Sequence, residues 1–449
     1  MKKALTFLTF IAVFSAQAQT NPAITKWLLN TTNITGKHYI AGNATPINDA
    51  VLANVQSVNY DATHAYISAT GIPAYITGPF LDNNPSLATA QNKIFKFPLN
   101  PTQNTGTPTA TTGGNIGVFI NGVALFDYRD GVAWNNSTQA LCGGPGNSAC
   151  PGGPAATQAW NRDAIPAEKA GFDCNKAHPA NGNYHHHQNP SAFNLDLVVT
   201  STICNTYPAD GLYVINTTQH SPLIGYAYDG FPIYGAYAFT NVDGTGGVSR
   251  MKSSYQLKNQ TTRTNGPAVN QVLGAQTFFN GYFREDYEFV SHPSDATYLD
   301  IHNGRFSITP EYPNGIYCYF TTVDANHNSA YPYAVGPTFY GNKTVTTVTT
   351  IPSGATAYLS TANENLLKNK KVIIYPNPAQ EFFAIQTELT ETDLKVEIIN
   401  ELGQIVKTST IIQGSTLSII ETDTLYNGMY IVKLSNGKSV LSHKIIVSK

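Results

Sequence analysis

The run Gly114-Asn115-Ile116-Gly117-Val118-Phe119-Ile120-Asn121-Gly122-Val123 decides the fold class. Its apolar and β-branched residues are typical of a strand, and Asn-Gly is the strongest short-range signal for a hairpin turn. The segment Ala124-Leu125-Phe126-Asp127 then returns as the partner strand. We therefore predict a β-hairpin here.

Composition extends this prediction to the whole chain of 449 residues, a length typical of two or three domains. The 36 Gly, 26 Pro, 26 Tyr and 21 Phe residues favour turns and strands over helices. We predict a mainly β protein. The net charge of −2 argues against nucleic acid as a partner, because nucleic-acid binding requires a basic patch. We also expect no integral membrane segment, because no later run has the roughly 20 apolar residues of a spanning helix.

The N-terminus has the features of an export signal. Lys2 and Lys3 precede an apolar run from Leu5 to Phe14, and Ala16-Gln17-Ala18 is a small-residue cleavage site. We predict a signal peptide over residues 1–18 and export through the periplasm.

All five cysteines follow this signal, and disulfides persist in an oxidising compartment. Cys142 and Cys150 flank a Gly/Pro-rich loop and could close it, and Cys174 and Cys204 bracket a histidine-rich segment and could pin it. Cys318 lies in an apolar alternating run, which favours a buried free thiol and leaves a metal-ligand role open. The connectivity is not fixed by spacing.

The histidine-rich segment is Asn183-Tyr184-His185-His186-His187-Gln188-Asn189-Pro190. If it is a strand, His185 and His187 point to one face, and Tyr184 and His186 to the other. Neutral imidazole is the commonest protein ligand for zinc, copper, iron and nickel. The pattern therefore predicts half of a metal site.

The remaining ligands must come from elsewhere, since a catalytic zinc takes three protein ligands and a structural zinc takes four. His178 lies seven residues before His185 and could return on a neighbouring strand as the third ligand, and His220 is the next choice. We predict a copper or zinc site from His178, His185, His187 and His220. For each histidine, a structural role as a hydrogen-bonding or turn residue remains an equally valid interpretation. Further candidates are His292, His302, Asp173, Asp229 and Glu311.

No motif for a particular reaction is present. The sequence has no nucleophile elbow, no phosphate-binding Gly loop followed by Lys and no zinc-protease helix motif. Whether the protein is an enzyme is therefore open.

A series of separated blocks resembles the YHYH domain family of secreted bacterial proteins. In chain order they are Asn121-Gly122-Val123, Trp160-Asn161-Arg162-Asp163, Gly171-Phe172-Asp173, His178-Pro179, the tract from Tyr184 to His187, His220-Ser221-Pro222-Leu223, Tyr228-Asp229-Gly230-Phe231-Pro232-Ile233-Tyr234-Gly235, Asn303-Gly304-Arg305 and Thr309-Pro310-Glu311-Tyr312-Pro313. The resemblance implies a β-rich domain over residues 111–342, preceded by a polar β-rich region over residues 19–110. His186 stands where the family name has its second tyrosine. The resemblance implies no reaction.

The last part of the chain resembles the C-terminal sorting domain of the type IX secretion system of Bacteroidetes. The resemblance rests on Tyr375-Pro376-Asn377-Pro378, Asn400-Glu401-Leu402-Gly403, Leu425-Tyr426-Asn427-Gly428-Met429-Tyr430 and a final strand ending in Lys449. It implies a small Ig-like β-sandwich over residues 371–449, after a linker over residues 343–370. It also implies that the type IX secretion machinery is a partner, and that the protein is secreted or lies on the outer cell surface.

Two functions from different classes fit these observations. The first is a secreted metal-binding protein that uses the histidine tract. The second is a non-catalytic surface protein whose aromatic residues bind a polysaccharide or a protein partner, with structural histidines.

Overall fold

The computed structural model describes residues 21–81, 86–144, 146–152, 158–190, 203–208, 215–344, 346–358, 372–387, 393–436 and 440–449. The predicted signal peptide over residues 1–18 lies outside this set, as do residues 359–370 of the predicted linker. Two compact units are present, residues 1–358 and residues 359–449. Within the described ranges, no helix is long and apolar enough to cross a membrane.

The described part of the first unit is built mainly from short strands. They are β1 (Thr35–Ile40), β2 (Asn43–Leu52), β3 (Val55–Tyr60), β4 (His64–Ala69), β5 (Ile76–Thr77), β6 (Lys93–Pro98), β7 (Asn115–Phe119), β8 (Ala124–Phe126), β9 (Arg129–Asn135), β10 (Ala140–Cys142), β11 (Asn161–Asp163), β12 (Ala177–Ala180), β13 (Asn183–His186), β14 (Leu223–Ala227), β15 (Pro232–Tyr234), β16 (Tyr237–Phe239), β17 (Val248–Arg250), β18 (Tyr255–Leu257), β19 (Gln271–Leu273), β20 (Gln276–Phe278), β21 (Tyr287–Phe289), β22 (Gly304–Ser307), β23 (Ile316–Phe320), β24 (Thr347–Val348) and β25 (Thr356–Ala357). Its α-helices are short: α1 (Pro22–Thr25), α2 (Ala164–Glu168) and α3 (Ile203–Thr206). Residues 169–171 and 284–286 form 3₁₀ turns.

The largest sheet has eight strands in the order β12-β13-β8-β7-β14-β15-β23-β22. Strands β7 and β8 form the antiparallel hairpin predicted from the Asn121-Gly122 turn. Gly225 of β14 permits close packing against β7, because a Cβ at this position would lie 2.6 Å from the carbonyl oxygen of Val118. The histidine tract lies in β13, which pairs in parallel with β8. The predicted hairpin thus borders the segment that carries the histidines.

A second sheet, in the order β24-β6-β4-β3-β25, packs into the same hydrophobic core. Trp27, after α1, stacks on Phe97 of β6 and also contacts Tyr226 of β14, with ring centroids 5.6 and 5.3 Å apart. Residues on both sides of the predicted boundary at 110 and 111 therefore contribute to one core. Strands β24 and β25, within the predicted linker, join this sheet.

Each disulfide joins two cysteines that lie on either side of one segment of the sequence. Cys142 is bonded to Cys150, and Cys174 is bonded to Cys204. Cys318 is a buried free thiol in β23. The two predicted disulfides and the predicted free cysteine are confirmed.

The second unit is a small β-sandwich, as predicted for a sorting domain. Its strands are β26 (Ile373–Tyr375), β27 (Phe382–Gln386), β28 (Leu394–Ile399), β29 (Ile405–Ile411), β30 (Leu417–Glu421), β31 (Gly428–Ser435) and β32 (Val440–Val447). They form sheets in the orders β26-β27-β30 and β29-β28-β31-β32. Alternating side chains such as Phe383, Val396 and Val432 fill the core between the sheets. The mainly β fold class is confirmed.

Candidate metal centre

A tight hairpin brings the histidines together. Asn181 and Gly182, with φ of 50° and 81°, connect β12 to β13, and this pair of positive φ values is the geometry of a type I′ turn. The turn fixes the register so that His178 lies directly opposite His185. The third candidate ligand therefore returns on the neighbouring strand.

The side chains of β13 alternate between faces as a strand requires. The Nε2 atoms of His185 and His187 lie 3.1 Å apart on one face. On the other face, the rings of Tyr184 and His186 have centroids 5.7 Å apart. The face that carries the predicted ligands also receives His178, whose ring centroid lies 4.8 Å from that of His185.

These three histidines form a group that could hold a metal ion. His178, His185 and His187 each offer one ligand atom, and these atoms lie within 4.8 Å of one another. The three side chains are almost fully buried, with exposed fractions of 6%, 1% and 3% for the whole residues. Burial removes competing water and holds the rings in fixed orientations.

Backbone carbonyls determine which nitrogen of each ring is free to bind. His185 Nδ1 donates a hydrogen bond to the carbonyl oxygen of Asn183 at 2.9 Å, and His187 Nδ1 donates one to that of Asp127 at 2.7 Å. A carbonyl only accepts, so each Nδ1 carries the proton, and the Nε2 of a neutral ring carries a lone pair. Asp127 follows β8 and His187 follows β13, so the parallel pairing of these strands brings the His187 ring to the carbonyl oxygen of Asp127.

Helix α2 adds a carboxylate to the same place. Glu168 is its last residue, and Glu168 Oε2 lies 3.2 Å from His178 Nε2 and 3.4 Å from His187 Nε2. Asp163 caps this helix by accepting a hydrogen bond from Ile165 N at 2.9 Å. Asp163 itself is held by the Tyr333 hydroxyl, which donates to it at 2.6 Å. A buried network thus positions the helix that presents Glu168.

The charges favour neutral rings beside an ionised carboxylate. Burial lowers the pKa of His187, and it lowers the pKa of His185 well below its ordinary value. Burial raises the pKa of Glu168, but its contacts with His178 and His187 outweigh that effect, and the net pKa lies below the usual value. The site therefore combines unprotonated imidazole nitrogens with a negative charge.

Comparison with protein families decides the identity of the first unit. The family model described as YHYH protein matches residues 94–331, which is more than half of the chain. The chain belongs to the YHYH protein family. A second model, the secretion system C-terminal sorting domain, matches residues 373–448. This YHYH protein is therefore a type IX secretion substrate that reaches the cell surface or the extracellular space.

Other comparisons add little. No curated protein matches this YHYH protein. One similar solved structure is that of PorZ, an essential bacterial surface component of the type-IX secretion system of Porphyromonas gingivalis, at 13% identity and a TM-score of 0.16. The alignment covers 91% of this chain and 53% of that chain, so this YHYH protein spans about half the length of PorZ. A TM-score this low carries no argument about fold or function.

Aromatic side chains enclose the histidines of this YHYH protein. Phe126 stacks on His185 with ring centroids 3.8 Å apart and an angle of 18° between the planes. Phe172 packs edge-on against His178 at 4.9 Å. Because Phe126 and Phe172 both come from segments adjoining ligand-bearing strands, the apolar enclosure is part of the local fold.

The opposite face of β13 has a structural role. The Tyr184 hydroxyl donates to the buried carboxylate of Asp173 at 2.7 Å, and Asp173 also accepts from the backbone of Asn175 and Ala177. Burial raises the pKa of Asp173 to about 7. His186, which stands in place of the second tyrosine of the family name, bonds to the Tyr75 hydroxyl through Nε2 at 2.9 Å.

The structure does not bring His220 to this group. His220 precedes β14, its Nδ1 donates to the carbonyl oxygen of Ser221 at 2.8 Å, and its ring packs against Tyr234 and Phe239. The remaining candidates also have other partners. His292 stacks on Tyr298, His302 bonds to Thr338, Asp229 accepts from Tyr319, and Glu311 accepts from Tyr234 and pairs with Lys26.

The sequence interpretation missed two features of the site. The first is the Asn181-Gly182 turn, whose hairpin signal is as strong as that of Asn121-Gly122 and would have placed His178 opposite His185. The second is Glu168, which has no local signal because its place in the site depends on tertiary packing.

Proposed function

We propose that this protein is a secreted metal-binding protein that holds one copper or zinc ion through His178, His185 and His187. The observation that carries the proposal is the 3.1 Å separation between the Nε2 atoms of His185 and His187, whose Nδ1 atoms already donate to carbonyls. Two lone pairs at this distance repel each other unless a cation lies between them.

Either a proton or a metal ion can supply that cation. One proton would join two nitrogens only, whereas this site gathers three imidazoles and a carboxylate. A metal ion can bind them all. Bonds of 2.0–2.1 Å to a tetrahedral zinc place neighbouring ligand atoms about 3.3 Å apart. The observed 3.1 Å is close to that value. Neutral imidazole suits both zinc and copper, so the ligand set fits either ion.

A calorimetric titration tests this proposal. The full chain from residue 19, expressed without a polyhistidine tag and freed of metal, is titrated with Zn²⁺ or Cu²⁺. We expect the parent to bind about one ion per chain, as one three-histidine site allows. His178→Ala, His185→Ala and His187→Ala should lose this binding.

His220→Ala is the matched control, because His220 is also a histidine of the first unit but lies apart from the group. We expect it to bind as the parent does. Near-ultraviolet circular dichroism of each metal-free variant separates the loss of a ligand from the loss of the fold. A folded parent that produces no binding heat with either ion would contradict the proposal, and its histidines would then be structural.

A further inference from the structure

We infer that Glu168 is the fourth protein ligand of the proposed site, and that its negative charge makes the site select a divalent ion over Cu⁺. This inference rests on the proposed function. It assigns a ligand that comes from a helix rather than from the histidine hairpin.

The first reason is an unsatisfied buried atom. Glu168 Oε2 is buried, and its only close polar neighbours among the residues that the structure describes are two imidazole nitrogens within 3.4 Å, neither of which meets it with the geometry of a regular hydrogen bond. Leaving a buried ionised oxygen without a partner is costly. The nearby cation Arg162 pairs with Asp130 through Nε, and among the described residues it forms no ion pair with Glu168. A cation bound between Glu168 and the imidazoles would satisfy it.

The second reason is the spacing of the ligand atoms. Glu168 Oε2 lies 3.2 Å from His178 Nε2 and 3.4 Å from His187 Nε2, and the Nε2 atoms of His187 and His185 are 3.1 Å apart. All three separations are close to the about 3.3 Å edge of a tetrahedron around zinc. Three consecutive separations among the four atoms therefore match this edge, while the three histidine ligand atoms span up to 4.8 Å.

The third reason is charge. Three neutral imidazoles leave the whole charge of a bound ion uncompensated in a buried site. A carboxylate attracts a divalent ion twice as strongly as a monovalent one at the same distance. Carboxylate oxygen is also a harder ligand than the thiolates and thioethers that select Cu⁺. Removing this charge should therefore weaken Zn²⁺ binding more than Cu⁺ binding.

Four protein ligands would also close the coordination sphere. A tetrahedral site without a solvent ligand is the pattern of structural zinc centres, whereas catalytic centres keep an open position. The apolar ring of Phe126 on His185 is consistent with an enclosed ion. On this account the metal is retained rather than exposed to a substrate.

The test compares Glu168→Gln and Glu168→Ala with the parent in the full chain from residue 19. Affinities for Zn²⁺, and for Cu⁺ under anaerobic conditions, are measured by competition with chromophoric chelators. Glu168→Gln keeps the shape of the side chain and removes its charge. We expect its Zn²⁺ affinity to fall by at least about tenfold, because changing even a residue that only hydrogen-bonds to a metal ligand typically costs that much. Its Cu⁺ affinity should fall by less. Glu311→Gln, a half-buried glutamate away from the histidine group, is the control and should match the parent.

A second measurement reports the coordination itself. With Co²⁺ bound, the parent should show the intense visible absorption of a tetrahedral ion, and added azide should not change it. Glu168→Ala should open a position, so azide should alter its Co²⁺ spectrum.

The outcomes separate this inference from the proposed function. If the parent binds neither ion, both are overturned. If the parent binds Zn²⁺ and the Glu168 variants bind it equally well, or lose Zn²⁺ and Cu⁺ affinity by the same factor, only the inference about Glu168 is overturned. Azide binding to the Co²⁺ form of the parent would overturn it too.

Discussion

Metal binding should raise the free energy of unfolding of the first unit. The size of this unit then determines the rise in its melting temperature. An ion that binds only the folded state at 100 times its dissociation constant adds about 2.7 kcal/mol to the free energy of unfolding. Residues 19–358 of the first unit number 340. At about 2.1 cal/mol/K per residue, the entropy of unfolding is about 0.7 kcal/mol/K, so the expected rise in melting temperature is about 4 °C.

Tryptophan fluorescence is a suitable assay because all three tryptophans, Trp27, Trp134 and Trp160, lie in the first unit. Zn²⁺ is the better ion here, since Cu²⁺ quenches fluorescence. The rise should be present in the parent and in His220→Ala, and absent in His187→Ala. It should persist at pH 6 and shrink only at lower pH, because burial lowers the pKa of His185 and His187 and protons therefore compete less well with the metal for their nitrogens.

Two results would refute this reasoning. The first is a parent that shows no rise in melting temperature at saturating Zn²⁺, because the folded state then has no preferential site. The second is a His187→Ala variant whose melting temperature rises as much as that of the parent, because the stabilising ion then binds elsewhere.

Three further predictions concern the framework around the site. Burial raises the pKa of Asp229 from 3.8 to about 6, so the folded state keeps a proton that the unfolded state releases, and this carboxyl should contribute a loss of about 3 kcal/mol of stability as the pH rises from 4 to 6. Denaturant melts across this range should show that Asp229→Asn loses about 3 kcal/mol less than the parent, and equal pH profiles would contradict the raised pKa. Gly182→Ala should lower the free energy of unfolding by about 1–3 kcal/mol and weaken Zn²⁺ binding, because φ at this residue is +81° and a new Cβ would lie 2.1 Å from Thr89 Oγ1. An unchanged calorimetric affinity for Zn²⁺ would show that this turn does not set the register of the ligands. Replacing Cys174 and Cys204 with serine should lower the free energy of unfolding by about 3.6 kcal/mol, against about 2.5 kcal/mol for the shorter disulfide, given sequence separations of 30 and 8. Denaturant melts followed by tryptophan fluorescence that rank the two in the opposite order would contradict the loop-length argument.

Features with local causes could be predicted from the sequence. The β7–β8 hairpin follows from Asn121-Gly122 between apolar runs, and the strands of the sorting domain follow from alternation and turn residues. The two faces of the histidine tract follow from the period of a strand. In each case, residues close in sequence decide the structure.

Features with tertiary causes could not be predicted in this way. Glu168 reaches the site only because α2, capped by Asp163, packs beside the hairpin. His220 is excluded because its ring packs against Tyr234 and Phe239 instead. Trp27 and Phe97 share a core with Tyr226, a contact across more than a hundred residues that no local pattern encodes.

Metal content tests the central claim most directly. The chain from residue 19 is expressed without a polyhistidine tag, and its copper and zinc are quantified by mass spectrometry alongside His185→Ala, His187→Ala and His220→Ala. The account predicts about one ion per chain in the parent and in His220→Ala, and none in the other two variants, as expected for one site built from three imidazoles. A metal-free parent that takes up no added copper or zinc, or equal metal in all four proteins, would contradict it.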